Sequence, residues 1–267
     1  MTLLVGIVCS DGVVIATDSF ATYAQGIIPT IGQQSVTKVQ RCGDTMIYAF
    51  TGPIGMAQVL SPAFDRLAKG SFTDALTTAP VADAMKTVAT KVRDELKGFL
   101  EGASAIAPLV GRETAGATVL CKSLVGVCWG GRPRLFQFDY SGAPEEVTDE
   151  LCFVALGSGQ NIADPFLAFL KRVLLWKNRV PTVAEARLVA AWTVHHVSHT
   201  NFGGVGGDLQ LATLTLEKGK PQVNVIEQPG EHYQKIQSAE AALLEHVTGG
   251  GKTEPAAPEP PVPPTTS

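Results

Sequence analysis

Apolar and polar positions along this chain fall into runs of two periods. Residues 3–9 (LLVGIVC) and 13–18 (VVIATD) are nearly unbroken apolar runs around Ser10-Asp11-Gly12. An Asp-Gly turn between two such runs predicts a β-hairpin. Residues 34–40 and 45–51 predict a second strand pair, turning at Cys42-Gly43-Asp44. The period then lengthens. Residues 54–69 carry Ile54, Met56, Val59, Leu60, Phe64 and Leu67 at helical spacing, with a break or kink expected at Pro62. Residues 81–100 carry Val81, Met85, Val88, Val92, Leu96 and Leu100 in the same way. Strand-like runs return at 115–121, 123–129, 134–139 and 152–156, and helical stretches follow at about 160–176 and 182–198. Thr182 followed by Glu185 reads as a capping box at the start of the second helix. Runs at about 209–216 and 221–226 predict the closing strands.

Blocks of hairpin-forming strands thus alternate with helix pairs, in the order β, α, β, α, β. Two antiparallel sheets with helices outside them satisfy that order, a layered α+β plan. Residues 2–228 make up this body. Residues 229–248 form a helical extension, in which 231–247 place Ile236, Ala239, Leu243, Leu244 and Val247 along one amphipathic face. After Gly249-Gly250-Gly251 comes KTEPAAPEPPVPPTTS. Proline and small polar residues cannot build a core, so residues 249–267 are expected to be disordered.

Composition narrows the class. With 267 residues, 45% of them hydrophobic, the chain can enclose one sizeable core or at most two small ones. The charged fraction of 17% is low, which points to surface buried between subunits. The net charge of −4 comes without any cluster of Lys and Arg, so no nucleic-acid partner is expected. The N-terminal run lacks a basic segment and is interrupted by Asp11 and Asp18, so no signal peptide is expected. No window reaches the roughly 18 apolar residues of a membrane span, so no membrane partner is expected either. The five cysteines (Cys9, Cys42, Cys121, Cys128 and Cys152) contain no CxxC pair, and four lie in apolar strand-like runs. They read as reduced, mostly buried thiols of a cytoplasmic protein, with no zinc site and no cofactor.

The candidate chemistry begins at Thr2. Methionine aminopeptidase removes Met1 before a small residue, which leaves Thr2 with a free α-amine beside its hydroxyl. The amine is a base of near-neutral pKa, and the hydroxyl is a nucleophile it can activate. The opening hairpin returns the region of Asp18 to Phe20 to the neighbourhood of Thr2, so Asp18 can pair with a cation there. Lys38, within SVTKVQ of the third strand, shares a side with Val36 and points towards the packed face. A buried lysine needs a carboxylate partner or loses its charge, and Asp18 is the natural candidate. Each residue also has a plainer reading. Thr2 is then an ordinary second residue, Asp18 a turn cap, and Lys38 a surface lysine at a sheet edge.

TLLVGIVCSDGVVIATDSFAT followed by TKVQRCGDTMIYAFTG resembles the opening of the proteasome β-type subunits and their bacterial relatives, the HslV and Anbu peptidases. All are N-terminal nucleophile hydrolases. The family's N-terminal Thr, its DGVV(I/L)A(A/T)D run, its K(V/I) pair and its (A/T)G match Thr2, Asp18, Lys38 and Gly52. VALGSGQNIADPF at 154–166 is similar to the family's GSG stretch. The resemblance spans about residues 2–226, and the proline-rich tail is most similar to the beta-proteobacteria proteasome homologue group.

The resemblance implies a four-layer αββα sandwich and a threonine-type endopeptidase. Thr2 would be the nucleophile. Lys38 would lower the pKa of its hydroxyl, and Asp18 would hold Lys38 charged. The Gly52 N–H would bind the oxyanion, and Ser158 would support the Thr2 amine. Thr22 would pair with the substrate backbone, and Ala21, Val36, Phe50 and Ile54 would line an apolar substrate pocket. It also implies peptide or unfolded-protein substrates, self-association into rings or spirals, and room for an ATP-driven unfoldase partner.

The chain departs from the family in two places. The segment between Asp18 and Lys38 (SFATYAQGIIPTIGQQSVT) is longer than usual, which predicts a remodelled substrate-binding loop. In SHTNFGGVGGDLQ, Asn201 stands where many members have Asp and Gly204 where they have Ser, which weakens the expected support for the Thr2 amine. Two alternatives stay open: an N-terminal nucleophile amidase acting on a small amide, and a non-catalytic assembly subunit. The joint presence of Thr2, Asp18, Lys38 and Gly52 argues against the second.

Other motifs read as structural. His195 and His199 are one helical turn apart, but His196 stands where a zinc-protease motif needs Glu. FGGVGGD (202–208) runs from helix to strand, the reverse of a phosphate loop. GSGQNIADP (157–165) has the right direction but lacks the Lys-Ser/Thr ending. Trp129, Trp176 and Trp192 read as core or interface aromatics.

Overall fold

The computed structural model describes residues 2–25, 28–69, 80–174, 176, 179–200, 204–226 and 230–248. The opening hairpin forms around its Asp-Gly turn: β1 (Leu3–Val8) pairs antiparallel with β2 (Gly12–Thr17), Leu4 opposite Thr17. Both strands are buried at every position, and apolar at nearly every one, because both of their faces are covered. Leu3, Val5, Ile7, Val14 and Ala16 face a helical layer. Leu4, Val8, Val13 and Ile15 face a second sheet.

The short hairpin β3 (Phe20–Gln25) and β4 (Ile28–Ser35) stands apart from both main sheets. Next come β5 (Val39–Cys42), β6 (Met46–Thr51), α1 (Ile54–Lys69), α2 (Val81–Val110) and α3 (Arg112–Ala117). The second half runs through β7 (Lys122–Trp129), β8 (Arg132–Phe138), β9 (Pro144–Val147) and β10 (Phe153–Gly157). It continues with α4 (Gln160–Val173), α5 (Val183–Thr200), β11 (Gln210–Glu217), β12 (Lys220–Ile226) and α6 (Gly230–Thr248).

One sheet has the order β10-β1-β2-β11-β12 and the other β5-β6-β7-β8-β9. Their inner faces meet through Leu4, Ile15, Ile47, Leu124, Leu135 and Leu214. On the outer face of the second sheet, α1 and α2 pack through Met56, Leu60, Phe64, Val88, Val92 and Leu96. On the outer face of the first, α4, α5 and α6 pack through Leu167, Leu170, Ala190, Val194 and Ile236. The result is the four-layer αββα sandwich. No helix among the described residues is long and apolar enough to cross a membrane.

The structure departs from the sequence reading in particular places. Residues 115–121 are no strand. They form the end of α3 and a turn in which Thr118 N donates to Ala115 O, and β7 begins only at Lys122. The helix predicted to end at Leu100 runs on to Val110, because its alanine-rich continuation favours helix after the apolar stripe has faded. Pro62 does not break α1. It sits on the exposed side, where its missing N–H leaves no buried acceptor unpaired. The helix at 160–176 stops at Val173. The third strand starts at Val39 rather than 34, because residues up to Ser35 belong to β4. The β3–β4 hairpin and β9 carry no clear strand signal in the sequence. Of the cysteines, Cys121 follows α3 and Cys128 is only half-buried; all five thiols are free. Residues 249–267 lie outside the described residues.

Candidate active site

The first strand begins at Leu3 and carries Thr2 on its N-terminal end, with the Thr2 side chain facing a pocket. β2 ends at Thr17, which delivers Asp18 beside the start of β1. Asp18 is fully buried, and each of its oxygens has work. Its Oδ1 accepts from Leu3 N at 2.9 Å and from Lys38 Nζ at 2.9 Å. Its Oδ2 accepts from Gly206 N at 3.2 Å. The Asp18–Lys38 pair is thus an ion pair inside the protein, with Lys38 only 2% exposed. Such a pair holds because hydrogen bonds satisfy the carboxylate that burial has stripped of water. Burial pulls the Lys38 ammonium below the ordinary lysine range, while attraction and the hydrogen bond to Asp18 oppose that drop.

Lys38 is not held by a strand. It precedes β5, in a segment bracketed by one side chain, Gln210. Gln210 Oε1 accepts from Lys38 N at 2.8 Å and from Val39 N at 3.4 Å, and its Nε2 donates to Val36 O at 2.7 Å. Val36 N in turn donates to Ser19 O at 2.8 Å. The first residue of β11 therefore fixes the chain that presents both Val36 and Lys38. Sequence reasoning missed Gln210, since a glutamine opening a strand carries no signal of its own.

The end of β10 supplies the other wall. Thr2 N, in peptide linkage to Met1, donates to Ser158 Oγ at 3.2 Å, and Thr2 O accepts from Ser158 Oγ and from Gly159 N, both at 3.4 Å. Gly157 stands directly against Thr2 with φ 98°, and a Cβ there would lie 2.2 Å from Thr2 O. Gly52, after β6, has φ 130°, and a Cβ would lie 2.8 Å from Leu120 O. Only glycine fits either position.

These groups open onto one pocket of about 550 Å³. Of the predicted catalytic residues, Thr2, Lys38, Gly52 and Ser158 line it, and Asp18 lies beneath Lys38. Of the predicted substrate-binding residues, Ala21, Val36, Phe50 and Ile54 line it. Thr22 pairs with Gln33 in the β3–β4 hairpin, which lies within the long Asp18–Lys38 segment. Thr51, Ala117 and Leu120 also line the pocket; the last two were hidden by the mistaken strand at 115–121. Gly204 is buried with φ 115°, in the loop whose Gly206 N reaches Asp18. Asn201 lies outside the described residues. The His195 and His199 rings meet at 4.2 Å, tilted by 50°, and His196 stacks on Phe166 at 4.1 Å, which is the helix-packing reading of these rings.

The chain is similar over its fold to Anbu from Yersinia bercovieri, described as an ancestral β-subunit, with TM-score 0.65 and 18% identity over 96% of this chain and 100% of that one. The helical assembly of the Anbu complex from Pseudomonas aeruginosa gives TM-score 0.64 and 19% identity over the same shares of both chains. At these identities the likeness speaks for the fold. Proteasome subunit beta 1 of Streptomyces avermitilis is 29% identical over 163 residues, which are 61% of this chain and 51% of that protein. The chain thus aligns with about half the length of that relative. The profile of the proteasome subunit family matches residues 2–173, and the chain belongs to that family.

Proposed function

We propose that this protein is a threonine-type endopeptidase with Thr2 as its nucleophile. One observation carries the reading: a threonine, a buried Lys–Asp pair and a positive-φ glycine converge on one largely apolar pocket. The reading requires Thr2 to become the N-terminal residue. Its freed α-amine then takes the hydroxyl proton as the oxygen attacks a peptide carbonyl, and the Lys38 ammonium favours the alkoxide that forms. The Gly52 N–H stabilises the oxyanion. The tetrahedral intermediate collapses to an ester on Thr2, and the departing amine takes the proton from the Thr2 ammonium. Water, deprotonated by the same amine, hydrolyses the ester and regenerates Thr2. Ser158 steadies the amine throughout. Phe50, Ile54, Val36 and Ala21 favour an apolar residue before the cleaved bond. The substrates are peptides or unfolded chains, and self-association encloses the sites.

The test is intact mass after treatment with a peptide epoxyketone, which reacts with the hydroxyl and amine of an N-terminal threonine together. The expected product is a chain beginning at Thr2 that carries one adduct, with none on Thr2→Ala. A chain that keeps Met1 and takes no adduct overturns the proposal.

A further inference from the structure

Next to the substrate pocket lies a second cavity of about 410 Å³ between α2 and α3. Leu100, Ala103, Ala107, Ala115 and Val119 give it a mostly apolar lining, to which Ser104 and Arg112 add polar groups. Leu120 lines both spaces. Its backbone is fixed. Leu120 N donates to Gly116 O at 2.8 Å, and Leu120 O presses against Gly52 so closely that a Cβ there would come within 2.8 Å. The neighbours Val119 and Cys121 are core residues, whereas the Leu120 side chain is 38% exposed and stands in the cleft. Gly116 makes room for it, since a Cβ there would lie 3.1 Å from Leu120 Cδ1.

We infer that Leu120 is the specificity-determining residue of this pocket: its side chain closes the far wall beside Gly52 and limits the size of apolar side chain admitted. The inference rests on the threonine-peptidase reading. Truncating Leu120 joins the pocket to the mostly apolar space beside Leu100, Ala103 and Val119, against which a longer hydrocarbon is removed from water. Its own removal leaves the core cluster untouched, because Leu120 is no member of it.

The test uses full-length wild type, Leu120→Ala and Leu120→Trp. Each reacts with peptide epoxyketones bearing Ala, Leu, Phe or naphthylalanine next to the warhead, and adduct formation on Thr2 is followed by intact mass. Leu120→Ala is expected to raise the rate with naphthylalanine relative to Ala by roughly tenfold or more, the discrimination that a methylene or so of apolar fit provides. Leu120→Trp is expected to shift preference the other way, towards Ala. The rate with the Ala probe reports that the variants remain folded and reactive. Variants that react but keep the wild-type order of preference overturn the role of Leu120 alone. A wild type that takes no probe overturns the peptidase reading and this inference with it.

Discussion

At the scale of single residues, what was legible was charge in the wrong company. Lys38 among valines and Asp18 at the end of an apolar run stand out because a buried charge needs a partner, and each is the other's. What was not legible was who holds them. Gln210 is 172 residues from Lys38 along the chain, and Gly206 is 188 from Asp18; neither spacing has a local pattern. Gly157 was visible only as part of the GSG stretch, not as the residue whose missing side chain lets Thr2 O approach. The lowered pKa of Lys38 has a consequence for activity. The proposed chemistry needs the ammonium, so the rate of Thr2 labelling should fall on the alkaline side at a pH below 10.5, the ordinary lysine value. Lys38→Arg, whose guanidinium keeps its charge, should lose that limb while retaining some labelling. Lys38→Ala should label slower by on the order of a hundredfold. A limb unmoved in Lys38→Arg would assign it to another group.

At the scale of elements, starts were easier to read than ends. The capping box of α5 forms as its residues demand: Glu185 Oε2 accepts from Thr182 N at 2.8 Å, and Thr182 Oγ1 from Glu185 N at 3.4 Å. Arg179 adds a two-pronged contact that holds the Glu185 carboxyl down at about 2. The end of α2 carried no such mark until Gly111, so the apolar stripe alone set a limit that the backbone ignored. The seam between α5 and α6 carries a testable consequence. His232 is buried with its Nε2 3.3 Å from the Arg187 guanidinium, and its Nδ1 has no partner among the described residues. Burial first, then Arg187 and Lys235, hold its pKa below 6.5, with Glu231 opposing. His195 and His196 on α5 are lowered too, by burial above all, with Glu240 opposing. Unfolded imidazoles take protons near 6.5 while these folded ones resist, so their contribution is complete above that pH and is lost as the pH falls below it. The melting temperature should therefore drop between about pH 7 and 5, and His232→Gln, which cannot charge, should drop less. Equal drops in both proteins would remove His232 from the account.

At the scale of the whole molecule, the plan of two sheets and outer helices was readable because strand neighbours in sequence pair as hairpins, with Asp-Gly and Gly-rich turns marking the joints. The order of strands across a sheet was not, because β1 pairs with β10 and β2 with β11 through contacts no local pattern records. That long-range pairing places Ser158 and Gln210 beside Thr2 and Lys38. The surface left over is unusually apolar in places. Leu109 and Val110 end α2 at 86% and 48% exposure, and Leu243, Leu244 and Val247 line the last turns of α6. Leucines exposed in groups rather than singly are characteristic of surface covered by a partner, and the proposed enclosure of the sites requires a second copy to cover it. Light scattering behind a sizing column should therefore give masses that are multiples of the 28.1 kDa chain at micromolar concentration. Leu109→Glu with Val110→Glu should shift the population towards single chains that keep the wild-type circular dichroism, because neither side chain is buried within the chain's own core. A lone 28.1 kDa species at every concentration would contradict self-association, and a double variant that assembles as wild type would move the contact away from the end of α2.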